Sequence, residues 1–189
     1  MKYHDDIHYI DLVRAGDNSA FAGLVAKHKN MVFSIVLKIL HNREDAEEIA
    51  QDSFLKAFES LGSFEKKSKF STWLYRIAYN AAITKTRKKR VEFVGIDDRI
   101  ISNYTEDEIQ EYVGRFDADE QKRIIDKALK RLPEEDNLLI TLFYKAENSV
   151  EEISAITRLT ESNVKVRLHR IRKKLYGEIS EIMKYQMAV

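Results

Sequence analysis

Apolar residues return every three or four positions along almost the whole chain, a spacing that restricts it to amphipathic helices. Between Ser19 and His41 the row is Phe21, Leu24, Val25, Val32, Ile35, Val36 and Ile39. Between Glu44 and Leu61 it is Ala46, Ile49, Ala50, Phe54, Ala57, Phe58 and Leu61, with Gly62 as a stop residue. A further helix runs from Phe70 to about Arg90, with Leu74, Ile77, Ala78 and Ala81 inward. A short one spans Asp5 to Arg14 and breaks at Gly16-Asp17-Asn18. One proline and six glycines leave little room for a turn-rich β architecture, so the expected fold is all-α.

The charge is arranged in blocks that the formal net of +1 conceals. Gly62 to Arg90 holds nine basic residues against Glu65 alone. Val91 to Glu120 holds ten acids against Arg99 and Arg115. The second stretch has weak periodicity, with one helical patch at Glu106 to Val113, and reads as a linker. The expected organisation is a helical domain over 1–90, an acidic linker over 91–119 and a second helical domain over 120–189. Pro133 is expected at the first position of a helix that runs to about Lys145, with Glu134 and Glu135 behind it. Each domain has its own expected core; that of the second is Ile124, Ala128, Leu132, Leu138 and Leu142 with the helices that follow.

Ser149 to Leu175 reads as two helices joined by a tight turn. Ser149 and Glu152 have the spacing of a capping box. Ile153, Ile156 and Leu159 give a buried edge, and Thr160 is placed to cap the second helix. Val164, Leu168, Ile171 and Leu175 form its apolar back; Val166, His169, Arg170 and Lys173 form the front, flanked by Lys165, Arg167, Arg172 and Lys174. Between Arg158 and Leu175 there are seven Lys or Arg and one acid, Glu161. Like charges at that density repel unless a polyanion offsets them, so this pattern reads as a DNA-binding helix-turn-helix rather than a solvated face.

Two surfaces of the first domain also carry chemistry. Trp73, Arg76, Asn80, Thr84 and Arg87 line up at helical spacing, beside the loop Phe64-Glu65-Lys66-Lys67-Ser68-Lys69. Aromatic rings stack on unpaired bases, guanidinium groups track phosphates and amides pair with base edges. Such a loop can also hold a base extruded from a duplex. Trp73 has a second reading, as a core aromatic, and the sequence leaves both open. Lys85 to Arg90 is read as a phosphate contact. In the preceding helix, Glu44, Glu48, Gln51, Asp52 and Leu55 gather on one face. That face repels DNA; it reads as a dock for a basic protein surface or as a solvated side with one stray leucine.

Other chemistries find little support. There is no cysteine, hence no disulfide, thiolate zinc site or cysteine nucleophile. His4 and His8 lie one helical turn apart with no third ligand nearby, so no metal site is expected. No phosphate loop, nucleophile elbow or acid-base pair is recognisable, so neither an enzyme nor a cofactor is expected. The N-terminus lacks a signal-peptide core, and the most apolar run, Met31 to Leu40, is short for a membrane span and interrupted by Lys38. A cytoplasmic protein is expected.

By itself the helix-turn-helix is also compatible with a free-standing regulator, and more distantly with a recombinase-like enzyme. DLVRAGDNSAF, DAEEIAQDSFLKAF and FSTWLYRIAYNAAITKTRKKR together resemble the second conserved region of bacterial sigma factors, and LPEEDNLLITLFYKAENSVEEISAITRLTESNVKVRLHRIRKKL resembles their fourth. With an acidic linker in place of a third region, the plan is similar to the extracytoplasmic-function group of the sigma-70 family. The resemblance implies a transcription initiation factor that joins core RNA polymerase and directs it to promoters. It implies that Glu44, Glu48, Gln51, Asp52 and Leu55 dock on the β′ clamp helices, and that the β flap supports the second domain. It implies −10 element contacts by Phe64, Lys66, Lys67, Lys69, Trp73, Arg76, Asn80, Thr84, Arg87 and Lys88. It implies −35 contacts by Ser162, Asn163, Lys165, Val166, Arg167, His169, Arg170 and Lys173. Arg76 and Ile77 stand where primary sigma factors carry paired tryptophans, which implies weaker melting and stricter promoter choice. An anti-sigma factor is a further implied partner, and the acidic linker is expected to mask both DNA surfaces in the free protein.

Overall fold

Helix α2, Phe21–Leu40, is the axis around which the rest of the molecule assembles. It packs on α1 (Asp6–Arg14), α3 (Arg43–Glu59), α4 (Phe70–Lys89) and α6 (Glu134–Ile140). These are seen in a computed structural model that describes residues 5–89 and 117–187, apart from the side chains of 87–89 and 184–187. The expected linker patch at 106–113 and His4 lie outside the described residues. No strand occurs among the described residues, as the spacing of apolar positions requires.

Asn18–Leu40, α2 with its leading 3-10 turn, is long and apolar enough to cross a bilayer by length and composition. Its packing makes it a core helix instead. Phe21, Leu24, Val32, Ile35 and Val36 are buried along one side, and Val25, Met31, Phe33 and Leu37 pack partly buried against the same core. His28 is buried in the same row, and its Nε2 lies 3.1 Å from Asp6 of α1. Lys27 pairs with the same carboxylate at 2.7 Å, so α1 is pinned to α2 by charge as well as by Ile10.

Local chemistry sets the remaining boundaries. Asn42 caps α3 by accepting from the Asp45 N–H at 2.9 Å. A 3-10 turn, Leu61–Ser63, replaces the last turn expected before Gly62. Arg14 reaches across to the Leu61 carbonyl at 2.9 Å and also donates to the Phe64 carbonyl, which fixes the start of the loop leading to α4.

In the second lobe Asp117 caps α5 (Ala118–Arg131) by accepting from Asp119 and Glu120 N–H groups. Pro133 stands one position earlier than expected, as the extended residue before α6. The helix expected to reach Lys145 stops at Ile140 and widens into a π turn, Thr141–Lys145. The closing bonds explain this: Ala146 N–H reaches the Thr141 carbonyl and Asn148 N–H the Leu142 carbonyl. Then come α7 (Val150–Thr157) and α8 (Glu161–Met187). The Ser149–Glu152 capping box is present in both directions. Arg158 closes α7 in the left-handed region, and Thr160 Oγ1 accepts from the Asn163 N–H at 3.3 Å.

The cores are divided otherwise than expected. One continuous apolar cluster runs from Ile10 through Leu74 and Ala78 to Leu138, Ile153, Ile156, Val164 and Ile171, so it joins both lobes. Ile124 and Ala128 leave that cluster and pack with Ile179, Ile182 and Met183 of the distal half of α8. The reason is the length of α8: it outruns the helix-turn-helix, and its exposed apolar stripe needs α5 as cover. Burying one large aliphatic side chain stabilises by about 1.5–3 kcal/mol relative to exposure, so this small cluster suffices to hold the tail.

Candidate nucleic-acid interface

Helix α8 shows its predicted polarity. Val164, Leu168 and Ile171 are buried, while Ser162, Asn163, Lys165, Val166, His169, Arg170 and Lys173 are exposed together on the opposite side. Val166 is 48% exposed, an apolar residue left within a cationic surface. Arg167 does not join that front. Its guanidinium donates to Glu135 at 2.9 Å and to Asp136 at 3.4 Å. Lys174 adds a contact to Asp136 at 3.2 Å. Asp136 is buried and needs those cations, so Arg167 is first a structural ion-pair partner. Burial works to lower the Arg167 pKa, but Glu135 and Asp136 outweigh it and hold the group charged. Arg172 also turns aside, donating to the Tyr144 hydroxyl at 3.0 Å and lying over the Phe143 and Tyr144 rings.

On α4, Arg76 and Thr84 are exposed, and Trp73 and Asn80 are half-buried beside them. Trp73 packs partly buried against the core. Its ring centroid lies 5.3 Å from that of Phe64 and 5.8 Å from that of Phe70, and the residue remains partly exposed. Phe64 itself is 2% exposed and belongs to the core; it supports the tryptophan from beneath instead of facing DNA. The inward row of α4 is also shifted: Leu74, Ala78 and Ala82 are buried, whereas Ile77 and Ala81 are partly exposed. The loop lysines are each engaged: Lys66 with Asp11 at 2.7 Å, Lys67 with Glu65 at 2.6 Å and Lys69 with Glu152 at 3.2 Å. Lys85 does not stand free for phosphate either. It bridges Asp45 and Glu48 of α3 at 2.8 and 2.6 Å, which raises its pKa. The side chains of Arg87 and Lys88 lie outside the described residues.

On α3, Glu44, Glu48, Gln51, Asp52 and Leu55 are all exposed, and Leu55 is 58% exposed. An acidic helix face with a projecting leucine and an exposed basic row on α8 thus coexist in one chain. No group of three or more His, Cys, Asp or Glu suited to a metal occurs among the described residues.

Comparison with known proteins decides what this combination is. A family model described as Sigma-70 region 2 matches residues 24–92, and one described as Sigma-70, region 4 matches residues 122–175. The ECF RNA polymerase sigma factor SigW of Bacillus subtilis is 32% identical, over 92% of this chain and 96% of its own length. The chain belongs to the extracytoplasmic-function sigma factors of the sigma-70 family. The RNA polymerase sigma-H factor of Pseudomonas aeruginosa is 26% identical, over 97% of this chain and 98% of its own. Among solved structures, CnrH in complex with the cytosolic domain of CnrY has a similar fold, with a TM-score of 0.60 at 23% identity. It covers 95% of this chain and 97% of its own. As an ECF sigma factor, the protein is a promoter-directing transcription initiation factor. Its curated relatives are named as sigma factors, which are transcription factors rather than enzymes.

Sequence reasoning missed three residues that shape this sigma factor's surfaces. Arg14 anchors the loop before α4, Asp136 organises the underside of α8, and Thr72 donates to Glu152 at 3.0 Å across the two lobes. Arg14 at the end of a short helix and Asp136 in a helical first turn look ordinary in sequence; only the fold gives them partners.

Proposed function

We propose that this sigma factor works in the cytoplasm as a non-catalytic subunit of RNA polymerase, with three surfaces dividing the labour. Glu44, Glu48, Gln51, Asp52 and Leu55 dock on the basic clamp helices of β′, Leu55 entering an apolar recess among ion pairs. Trp73, Arg76, Asn80 and Thr84, with Lys66, Lys67, Lys69, Arg87 and Lys88 around them, engage the −10 element. Ser162, Asn163, Lys165, Val166, His169, Arg170 and Lys173 enter the major groove at −35. Residues 1–90 and 120–189 act as the two promoter-contacting units, the β flap supporting the second.

The observation that carries this reading is the exposed row on α8, backed by Val164, Leu168 and Ile171 in the core. A helix held so rigidly presents its cationic side as a unit to a groove. Affinity then comes from phosphate neutralisation and from tethering of both lobes by polymerase, and preference from Val166 and its neighbours. One of the similar solved structures is by description the sigma factor RpoE in complex with the anti-sigma factor NepR from Bartonella quintana, and another is CnrH in complex with the cytosolic domain of CnrY. An anti-sigma partner is therefore part of the proposal.

Run-off transcription with purified core polymerase on a randomised promoter library tests it. Transcripts that require the chain and share −10 and −35 sequences are the expected result. No transcript, together with tight operator binding by the isolated chain as a dimer, would establish a free-standing regulator instead.

A further inference from the structure

Helix α1 is joined to the loop before α4 at two places. Arg14, in the last turn of α1, donates to the carbonyls of Leu61 at 2.9 Å, of Gly62 at 3.5 Å and of Phe64. Asp11, one turn earlier, takes the Lys66 ammonium at 2.7 Å. Between the buried rings of Phe64 and Phe70, Glu65 to Lys69 are all exposed and lie outside regular secondary structure. Lys66 stands among them at φ 58°, in the left-handed region that a lysine rarely occupies. Such a conformation persists only where its surroundings impose it. Helix α1 itself is fixed. Asp6 ties it to Lys27 and His28 of α2, and Ile10 is fully buried. The Tyr9 ring fills the place of a side chain at Gly23, where an added β-carbon would lie 2.3 Å from Tyr9 Cε1. Exposed chain outside a helix loses conformational entropy when it fits a ligand, and contacts to a rigid element remove that cost in advance.

We propose that Arg14 and Asp11 are positioning residues for −10 recognition: they set the shape in which the loop 64–69 receives an extruded base, so that α1 controls promoter selectivity without contacting DNA. The inference rests on the assignment of that loop to the −10 element. The residue types fit the task. A guanidinium offers five donors in a fixed planar fork, so one side chain holds the carbonyls of three residues in a set spacing. A lysine keeps the charge but gathers its donors on one ammonium, so it cannot hold that spacing. Asp11 draws the Lys66 side chain back onto α1 and so fixes the crest of the loop. A displaced loop still attracts phosphates, because its lysines remain, but it loses the register from which base edges are read.

The test uses the full chain with core polymerase and a barcoded promoter library randomised at −10 and −35, read by run-off transcription. Arg14→Ala and Arg14→Lys are both expected to lower base discrimination within −10 by about tenfold, the equivalent of one charged hydrogen bond. The −35 preference, read from the same transcripts, and the salt dependence of promoter binding should not move. Asp11→Asn loses an exposed ion pair and should lower the same −10 discrimination by about twofold. Unchanged discrimination in Arg14→Lys overturns the proposal. So does a uniform loss across −10 sequences in Arg14→Ala, with a salt slope lower by about one and full rescue by Arg14→Lys, which is the signature of a direct phosphate contact. If both Arg14 variants are inactive on every promoter, the arginine is merely structural and the proposal fails. A chain with Lys66→Gly, Lys67→Gly and Ser68→Gly separates this inference from the reading beneath it. An altered −10 profile in that chain, beside an unaltered one in Arg14→Lys, overturns the positioning role alone. An intact −10 profile in that chain overturns the assignment of the loop to −10.

Discussion

The guanidinium of Arg167 lies 3.4 Å from the Asp136 carboxylate, turned away from the exposed basic row of α8. A basic residue in the middle of a cationic helix is thereby committed to the fold. Arg167→Ala leaves Asp136 buried with Lys174 alone, which costs about 1–3 kcal/mol. Arg170→Ala, on the exposed front, should leave the urea midpoint unchanged and weaken −35 binding. If the two substitutions affected stability equally, the division of roles would be wrong.

Leu55 is the test of the polymerase dock. Its exposure means that Leu55→Asp should not alter the unfolding midpoint. Truncated apolar anchors at protein interfaces commonly cost about 1–2 kcal/mol, so affinity for core polymerase is expected to fall by roughly tenfold or more. Fluorescence titration of labelled chain with core measures this. Unchanged affinity would assign the leucine to ordinary surface.

Val166 provides the specificity prediction. An apolar side chain on the groove side suits contact with a thymine methyl. Val166→Ser should therefore shift −35 preference away from one thymine in a randomised promoter library. An identical preference profile would refute that contact.

Acid should loosen the seam between the lobes. Burial works to raise the Glu152 carboxyl, but the Ser149 N–H, Lys69 and Thr72 outweigh it and hold it below its ordinary 4.5. The folded value lies below the unfolded one, so the stabilisation is present above pH 4.5 and is lost as pH falls through the folded value. Asp6, held low by His28 and Lys27 against burial, contributes in the same direction at the α1–α2 contact. Unfolding followed between pH 7 and about pH 3 should lose stability in the acid range. Glu152→Gln, which keeps the cap, should flatten part of that slope. An unchanged slope would remove Glu152 from the account.

Much of this was legible in the residues because helical spacing, caps and the exposed row of α8 are local properties. Ser149 and Glu152 announce their capping box within four positions, and Val164, Leu168 and Ile171 their buried row within eight. The acidic face around Leu55 was legible for the same reason. What escaped depends on distant partners. Phe64 looked free because nothing nearby in sequence covers it, while Phe70 and Trp73 fold over it. Arg167 and Lys85 counted as free cations until Asp136, Asp45 and Glu48 met them in space. The separate cores expected for two domains merged because α6 and α7 carry apolar sides that α2 and α4 can cover.

Helix α8 has a mechanical consequence of its own. Its 27 residues make a rod about 40 Å long, held at one end by the central core and at the other by α5. With Val164, Leu168 and Ile171 seated in that core, a tilt of about 5° displaces the tail by about 3.5 Å. The pairing of Ile179, Ile182 and Met183 with Ile124 and Ala128 therefore works as a stay at the end of a long lever, and softening it should free the tail while leaving the basic row in place.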